Sequence, residues 1–194
     1  LNRSFQSEYE ESTKALNYYW GMEAGVVELF CSKRLPDGTQ KLAIKNALKN
    51  PISILTGGPG TGKTTIINGI LLALRKLAEI PAAALYSDNP PFLLAAPTGR
   101  AAKRMGEITE ISAKTIHRML GLGIGDIDTS ELNELNGEIL IIDEMSMVDM
   151  FLFRQLLSSI NQVKHIVFVG DKDQLPSVGA GNVFSDLIKS GAFP

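Results

Sequence analysis

The sequence predicts an α/β domain built on a parallel sheet with helices on both faces, preceded by a short helical segment. Two observations predict it. Four continuous apolar runs, at 52–55, 92–96, 139–142 and 166–169, alternate with segments of helical period, the pattern of strands buried on both faces. The loops rich in glycine or polar residues, at 57–64, 97–100, 143–146 and 170–176, each follow the C-terminal end of such a run. Right-handed crossovers gather those ends on one edge of a sheet, where ligands of such folds bind.

Composition sets the outer bounds. A chain of 194 residues, 44% hydrophobic and 21% charged, suits one α/β domain with a small helical appendage and is long enough to bury a core. No apolar run is longer than a strand, and neither a membrane span nor a signal peptide is visible. The single Cys31 excludes an intramolecular disulfide and a cysteine-based zinc site, and it suits a reducing cytoplasm. A net charge of −2 gives no global signal for nucleic acid, so any such site must be a local patch. The chain starts at Leu1 and reads as a piece of a longer or processed product.

Residues 8–31 read as a helix with Leu16, Tyr19, Trp20, Val27 and Phe30 on one side. Gly21 and Gly25 weaken it by about 1 kcal/mol each relative to alanine, so packing must hold it. Tyr18-Tyr19-Trp20 reads as a packing face rather than a platform for stacked bases. Pro36-Asp37-Gly38 is a turn, and a second helix over 39–49 carries Leu42, Ala43, Ala47 and Leu48 before Asn50-Pro51 stops it. The run at 52–55 breaks into glycines, and a helix over 63–79 follows with Ile66, Ile67, Ile70, Leu71 and Leu74. Beyond a loop through Asn89-Pro90-Pro91, Phe92–Ala96 is a strand that leads to a short helix with Arg100, Lys103 and Arg104. Residues 112–120 read as another short helical turn, and the acidic, glycine-bearing stretch 121–138 as a solvated connection. Ile139–Ile142 and Ile166–Val169 are strands flanking a helix over 149–160, and a helix over 183–190 ends the chain. There is no internal repeat.

The chemistry concentrates in the stretch from Gly57 to Thr65, which contains G-x-x-x-x-G-K-[ST] between a strand and a helix. Gly57, Gly58, Gly60 and Gly62 let backbone N–H groups approach phosphate oxygens, with Pro59, Thr61 and Thr65 completing the loop. Lys63 reaches the β- and γ-phosphates, and the Thr64 hydroxyl suits Mg²⁺. Asp143, at the end of a buried strand, suits the same metal, and Glu144 beside it suits orienting or deprotonating an attacking water. That pair argues for hydrolysis over phosphoryl transfer. Gln174 offers an amide to the γ-phosphate or the water. Gln40 fits either an adenine edge or a solvated helix start, and its spacing alone does not choose. Arg100, Lys103, Arg104, Lys114 and Arg118 against Glu107 and Glu110 make a local net charge of +3, with His117 as a further donor. On charge alone that patch is equally compatible with a nucleic-acid backbone and with a solvated helix face. His117 and His165 have no ligand set for a metal, and no serine or cysteine nucleophile arrangement is visible.

Five ordered motifs carry a resemblance. They are Thr56–Thr65, Ala96–Ala102, Thr115–Arg118, Ile142–Asp149 and Val169–Val178, and in that order they resemble RecD-like helicases of superfamily 1B, the family of the exodeoxyribonuclease V alpha chain. The resemblance covers about 35–188. It implies a RecA-like P-loop NTPase domain over 35–194, the first of two motor domains, after a helical N-terminal segment at 1–34. It implies ATP and Mg²⁺ as cofactors and 5′-to-3′ movement on single-stranded DNA in recombination or repair, with other subunits of a nuclease complex as further partners and no membrane. Carried over residue by residue, Gln40 looks like the adenine reader, and Lys63, Thr64, Asp143 and Glu144 match the catalytic set. Gln174 matches the coupling glutamine, and Pro97, Thr98, Gly99, Arg100, Thr115 and His117 match DNA-contacting loops. Only sixteen residues follow Val178, so the second motor domain and its arginine finger are not expected here, and the piece alone should turn over little ATP. The rival readings are a non-enzymatic adenine-nucleotide switch and another P-loop ATPase or kinase.

Overall fold

The structure is a computed structural model that describes residues 38–123 and 132–194. The expected helix at 8–31, the whole 1–34 segment with its boundary, and the 124–131 part of the acidic connection therefore lie outside the described residues.

Five parallel strands form one sheet: β1 (Ile52–Thr56), β2 (Phe92–Ala96), β3 (Ala113–Thr115), β4 (Leu135–Ile142) and β5 (Ile160–Gly170), in the order β1-β5-β4-β2-β3. The helices are α1 (Gly38–Lys49), α2 (Lys63–Leu77), α3 (Gly99–Thr109), α4 (Ile116–Leu120), α5 (Met150–Ser159) and α6 (Val183–Ser190). Short 3₁₀ turns occupy Ala82–Tyr86 and Met145–Met147.

Successive side chains of a strand face opposite ways, and the core divides accordingly. Ile139, Ile141, Val167 and Val169 pack with Ile44, Ile67, Ile70 and Leu74 from α1 and α2 on one face. Leu140, Ile142, Ile166 and Phe168 pack with Ile116 and Leu120 of α4, Leu152 and Leu156 of α5 and Phe184 of α6 on the other. All four side chains from Ile139 to Ile142 are fully buried, each contributing about 1.5–3 kcal/mol. Central β4 is therefore the best-anchored strand, and it ends at Ile142, directly before Asp143.

Four expectations need correction. Residues 113–115 are not helical: Ala113, Lys114 and Thr115 pair with Leu94, Ala95 and Ala96 as an edge strand, and the helix begins only at Ile116. The connection read at 121–138 is already strand from Leu135, whose side chain is buried and which pairs with Ile160. The last strand starts at Ile160 rather than 166, because its polar first half pairs with the start of β4. On α1, Leu42 is exposed and Ile44 takes the buried position with Ala47 and Leu48. No described helix is long and apolar enough to cross a membrane.

Candidate nucleotide-binding site

Strand order sets the order of functional loops along the C-terminal edge. The phosphate loop follows β1, the Asp171–Gln174 loop follows β5, Asp143-Glu144 follows β4, and the threonine loops follow β2 and β3. The two carboxylates thus stand between the glycine loop and the basic loops.

Gly60 and Gly62 take positive φ, 76° and 84°, which glycine adopts without strain. Gly62 precedes α2 and gives it no side-chain cap, so the first N–H groups of that helix turn into the loop. A Cβ at Gly62 would collide with the Gln40 amide, and one at Gly57 would stand 2.7 Å from the Thr61 hydroxyl. That hydroxyl donates to the Gly58 carbonyl at 2.9 Å. Gln40 Nε2 donates to the Thr61 carbonyl at 3.3 Å, so α1 braces the loop from outside. The Lys63 ammonium donates to the carbonyls of Gly57 and Gly58, the latter at 3.0 Å, which centres its charge over the loop.

A cleft of about 530 Å³ is lined by Pro59 to Thr64 together with Asp143, Glu144, Asp171 and Gln174. Asp143 Oδ1 accepts the Glu144 N–H at 2.8 Å, which tightens the turn. Glu144 sits at φ 55°, a left-handed conformation that costs a non-glycine residue about 1–2 kcal/mol. Burial pushes the Asp143 carboxyl above its ordinary range, opposed by the Glu144 N–H and by the positive charges of Lys63 and Arg104. Burial, then the neighbouring Asp143, pushes Glu144 up as well; Lys63 and Arg104 oppose this and Asp171 adds to it.

The structure brings Lys63, Thr64, Asp143, Glu144 and Gln174 to this one cleft. Gln40 braces its rim, and Thr65 follows in the first turn of α2. Pro97, Thr98, Gly99, Arg100, Thr115 and His117 do not line it. They form a second group: Ala96 and Thr115 are register partners, so their loops leave the sheet side by side. Thr98 accepts the Ala101 N–H and caps α3, while Thr115 accepts the Arg118 N–H and caps α4. Arg100 and His117 are exposed. His165 Nδ1 lies 3.1 Å from the Asn50 carbonyl, a structural contact away from both groups.

Two charged cleft residues are not among the expected nucleotide-site residues: Asp171, three positions before Gln174, and Arg104, which charge alone places with the basic patch. Ala101, Arg104, Met105 and Ile108 all line the cleft, the i, i+3, i+4, i+7 stripe of one helical face. That periodicity was the available signal, because Arg100 and Lys103 fall off the stripe. Lys103 instead makes a solvated 3.9 Å ion pair with Glu107.

Residues 40–180 match the family model described as an AAA domain. The chain belongs to that AAA domain family. Among curated proteins, this AAA domain is 32% identical over 213 residues to the RecBCD enzyme subunit RecD of Mycobacterium tuberculosis, covering 93% of this chain and 36% of the relative. It is 41% identical over 128 residues to the ATP-dependent RecD2 DNA helicase of Deinococcus radiodurans, covering 66% and 16%. The resemblance carried by the five motifs therefore holds: this is a RecD-like domain. Among solved structures, Bacteroides sp Pif1 in complex with ADP-AlF4 aligns with TM-score 0.49 at 24% identity, over 82% of this chain and 37% of that one. The chain spans about a third of the length of the RecD relatives it matches first.

Among the described residues, no three His, Cys, Asp or Glu side chains come together as a metal cage. Of the oxygens on the cleft wall, which include the Thr61 and Thr109 hydroxyls and the Glu144 and Asp171 carboxylates, the Thr64 hydroxyl and the Asp143 carboxylate are the pair suited to a cation held together with phosphates. That sparse oxygen set fits Mg²⁺, which keeps waters and takes substrate phosphates as ligands, better than a fully caged ion.

Proposed function

We propose that this domain is the ATP-binding motor half of a DNA helicase that moves 5′ to 3′ on single-stranded DNA and serves recombination or repair in the cytoplasm. The observation that carries the reading is the meeting of Lys63, Asp143, Glu144 and Gln174 in one cleft beneath an open helix N-terminus. The names of the relatives support it; the direction of movement and the further nuclease-complex subunits rest on the resemblance. Glu144 and Gln174 favour hydrolysis over transfer to a small acceptor.

In this reading Lys63 and the loop N–H groups hold the β- and γ-phosphates, and Gln40 meets the adenine edge from the loop's outer side. Thr64 and Asp143 would hold Mg²⁺, which neutralises charge on the β- and γ-oxygens when bound. Glu144 orients and deprotonates the attacking water, and Gln174 hydrogen-bonds the γ-phosphate or that water. The loops at 97–100 and 115–117 hold phosphates of the strand through N–H groups, hydroxyls and Arg100.

ATP turnover by the full-length protein should rise when single-stranded DNA is added. Turnover that ignores DNA favours another P-loop ATPase, and no turnover at all favours the nucleotide switch. For this chain alone, fluorescence anisotropy with a labelled oligonucleotide should show weak binding, with log K falling against log[salt] at a slope near −2 if about three phosphates are neutralised. Arg100→Ala with His117→Ala should weaken binding and flatten the slope; binding unchanged by that pair means the strand runs elsewhere.

Arg104 separates the two groups of loops. It faces the nucleotide cleft, so Arg104→Ala should weaken MgATP binding about tenfold, the loss of one charge-assisted hydrogen bond, and leave the DNA salt slope unchanged. A flattened slope with unchanged ATP affinity would assign Arg104 to the strand instead.

A further inference from the structure

Gln174 is exposed on the loop after β5, and a free amide there has two equivalent orientations that differ in which end faces the cleft. One end donates and the other accepts. A γ-phosphate or its transition state needs the donating end, so an amide free to flip serves it only part of the time.

In the structure Ser146 holds the accepting end of that amide. Its side chain is 8% exposed and belongs to the 3₁₀ turn directly after Asp143-Glu144. Its hydroxyl donates to Gln174 Oε1 across the two loops. With Oε1 held, the Nε2 end is the one left for the cleft. The backbone fixes both ends of this strut. Gln174 N–H donates to the Asp171 carbonyl at 3.3 Å, while Met147 N–H donates to the Glu144 carbonyl at 3.0 Å and holds the turn closed. Farther along, Asp149 caps α5 by accepting the Leu152 N–H at 2.8 Å, and Met150 N–H donates to the Ala180 carbonyl at 3.0 Å. Ser146–Gln174 and Met150–Ala180 thus both link the segment after β4 to the segment after β5, and Ser146–Gln174 is the one nearer Glu144.

We propose that Ser146 is a positioning residue for hydrolysis: it fixes the Gln174 amide with its donor toward the terminal phosphate and ties that amide to the turn carrying Glu144. The inference rests on the proposed ATPase reading and deepens it. It is local: Ser146 does not line the cleft and acts through Gln174 alone.

The test uses the full-length protein as wild type, Ser146→Ala, Gln174→Ala and the double variant, with Ser146→Thr as rescue. Ser146→Ala should lower kcat about tenfold, the loss of one hydrogen bond's orientation, and leave the Kd for MgATP within about twofold. Ser146→Thr, which keeps the hydroxyl, should recover most of the rate. In the Gln174→Ala background, Ser146→Ala should change kcat by less than about twofold, because the group it orients is gone. A merely structural serine would lower the rate equally in both backgrounds, and that outcome overturns the proposal, as does an unchanged kcat in Ser146→Ala. If the wild type shows no ATP turnover, the ATPase reading itself fails; the melting temperatures of the same four proteins then read the contact, and strictly additive changes overturn it.

Discussion

Glu144→Gln in the full-length protein is expected to slow ATP hydrolysis about 10²–10⁴-fold while leaving MgATP affinity within a few-fold. The isosteric amide keeps the turn but has no basic oxygen with which to take a proton from water. Its Asp143 neighbour, on the other hand, keeps the carboxylate assigned to the metal. Single-turnover hydrolysis together with calorimetry checks both halves; wild-type turnover in the variant would remove Glu144 from the reaction. The same substitution has a stability signature. Burial and Asp143 raise the proton affinity of Glu144 in the folded domain, so between the unfolded and folded pKa values the native state binds more protons. Stability therefore falls as pH rises through that window, and at pH 7 an ionised Glu144 is a cost. Glu144→Gln, without nucleotide or metal, should raise the melting temperature at pH 7, and the gain should shrink as pH falls below the ordinary carboxylate range. A lower melting temperature at pH 7 would mean that the carboxylate is held by favourable contacts instead.

The central strands were legible because burial on both faces leaves a continuous apolar run, as at Phe92–Ala96 and Ile139–Ile142. The edges of the sheet were not. Ala113-Lys114-Thr115 has no apolar run, and nothing local distinguishes it from the helix it precedes; it is a strand because Leu94–Ala96 offers it a ladder. The first half of β5 carries Asn161, Gln162 and Lys164, polar residues of a stretch that extends past the core. Its pairing with Asn136 and Gly137 is tertiary, and no periodicity announces it.

The candidate site divides along the same line. The phosphate loop is contiguous; positive φ demands glycine at 60 and 62 and close approach demands it at 57 and 62, so these are readable in place. Arg104 is not, because its role depends on which face of α3 turns toward α2 and the cleft. The contact of Gln40 with Thr61, across twenty-one positions, and that of Ser146 with Gln174, across twenty-eight, exist only once the sheet has ordered its loops. The basic residues of 100–118 fall into two groups, Arg104 in the cleft and the rest outside it.

Lys63→Ala should have the largest effect on binding. Charge-assisted hydrogen bonds contribute about 1.5–3 kcal/mol each, so losing one to each of two phosphates predicts MgATP binding weaker by about 10²-fold or more. Two effects compete for the explanation, since Lys63 also ties down the carbonyls of Gly57 and Gly58. A loosened loop would weaken every adenine nucleotide alike. A lost phosphate contact would weaken ATP and ADP strongly and AMP little, because AMP has neither a β- nor a γ-phosphate. The electrostatics add a third handle: Lys63 holds down the proton affinities of Asp143 and Glu144, so its removal lets both rise further. The defect should then deepen as pH is lowered from 8 toward the carboxylate range, where more of the carboxylate assigned to the metal is protonated. Calorimetry with ATP, ADP and AMP across that pH range reads all three. Equal affinities in both proteins would remove Lys63 from the phosphate site, and a uniform loss across the nucleotides would leave it only a loop strut.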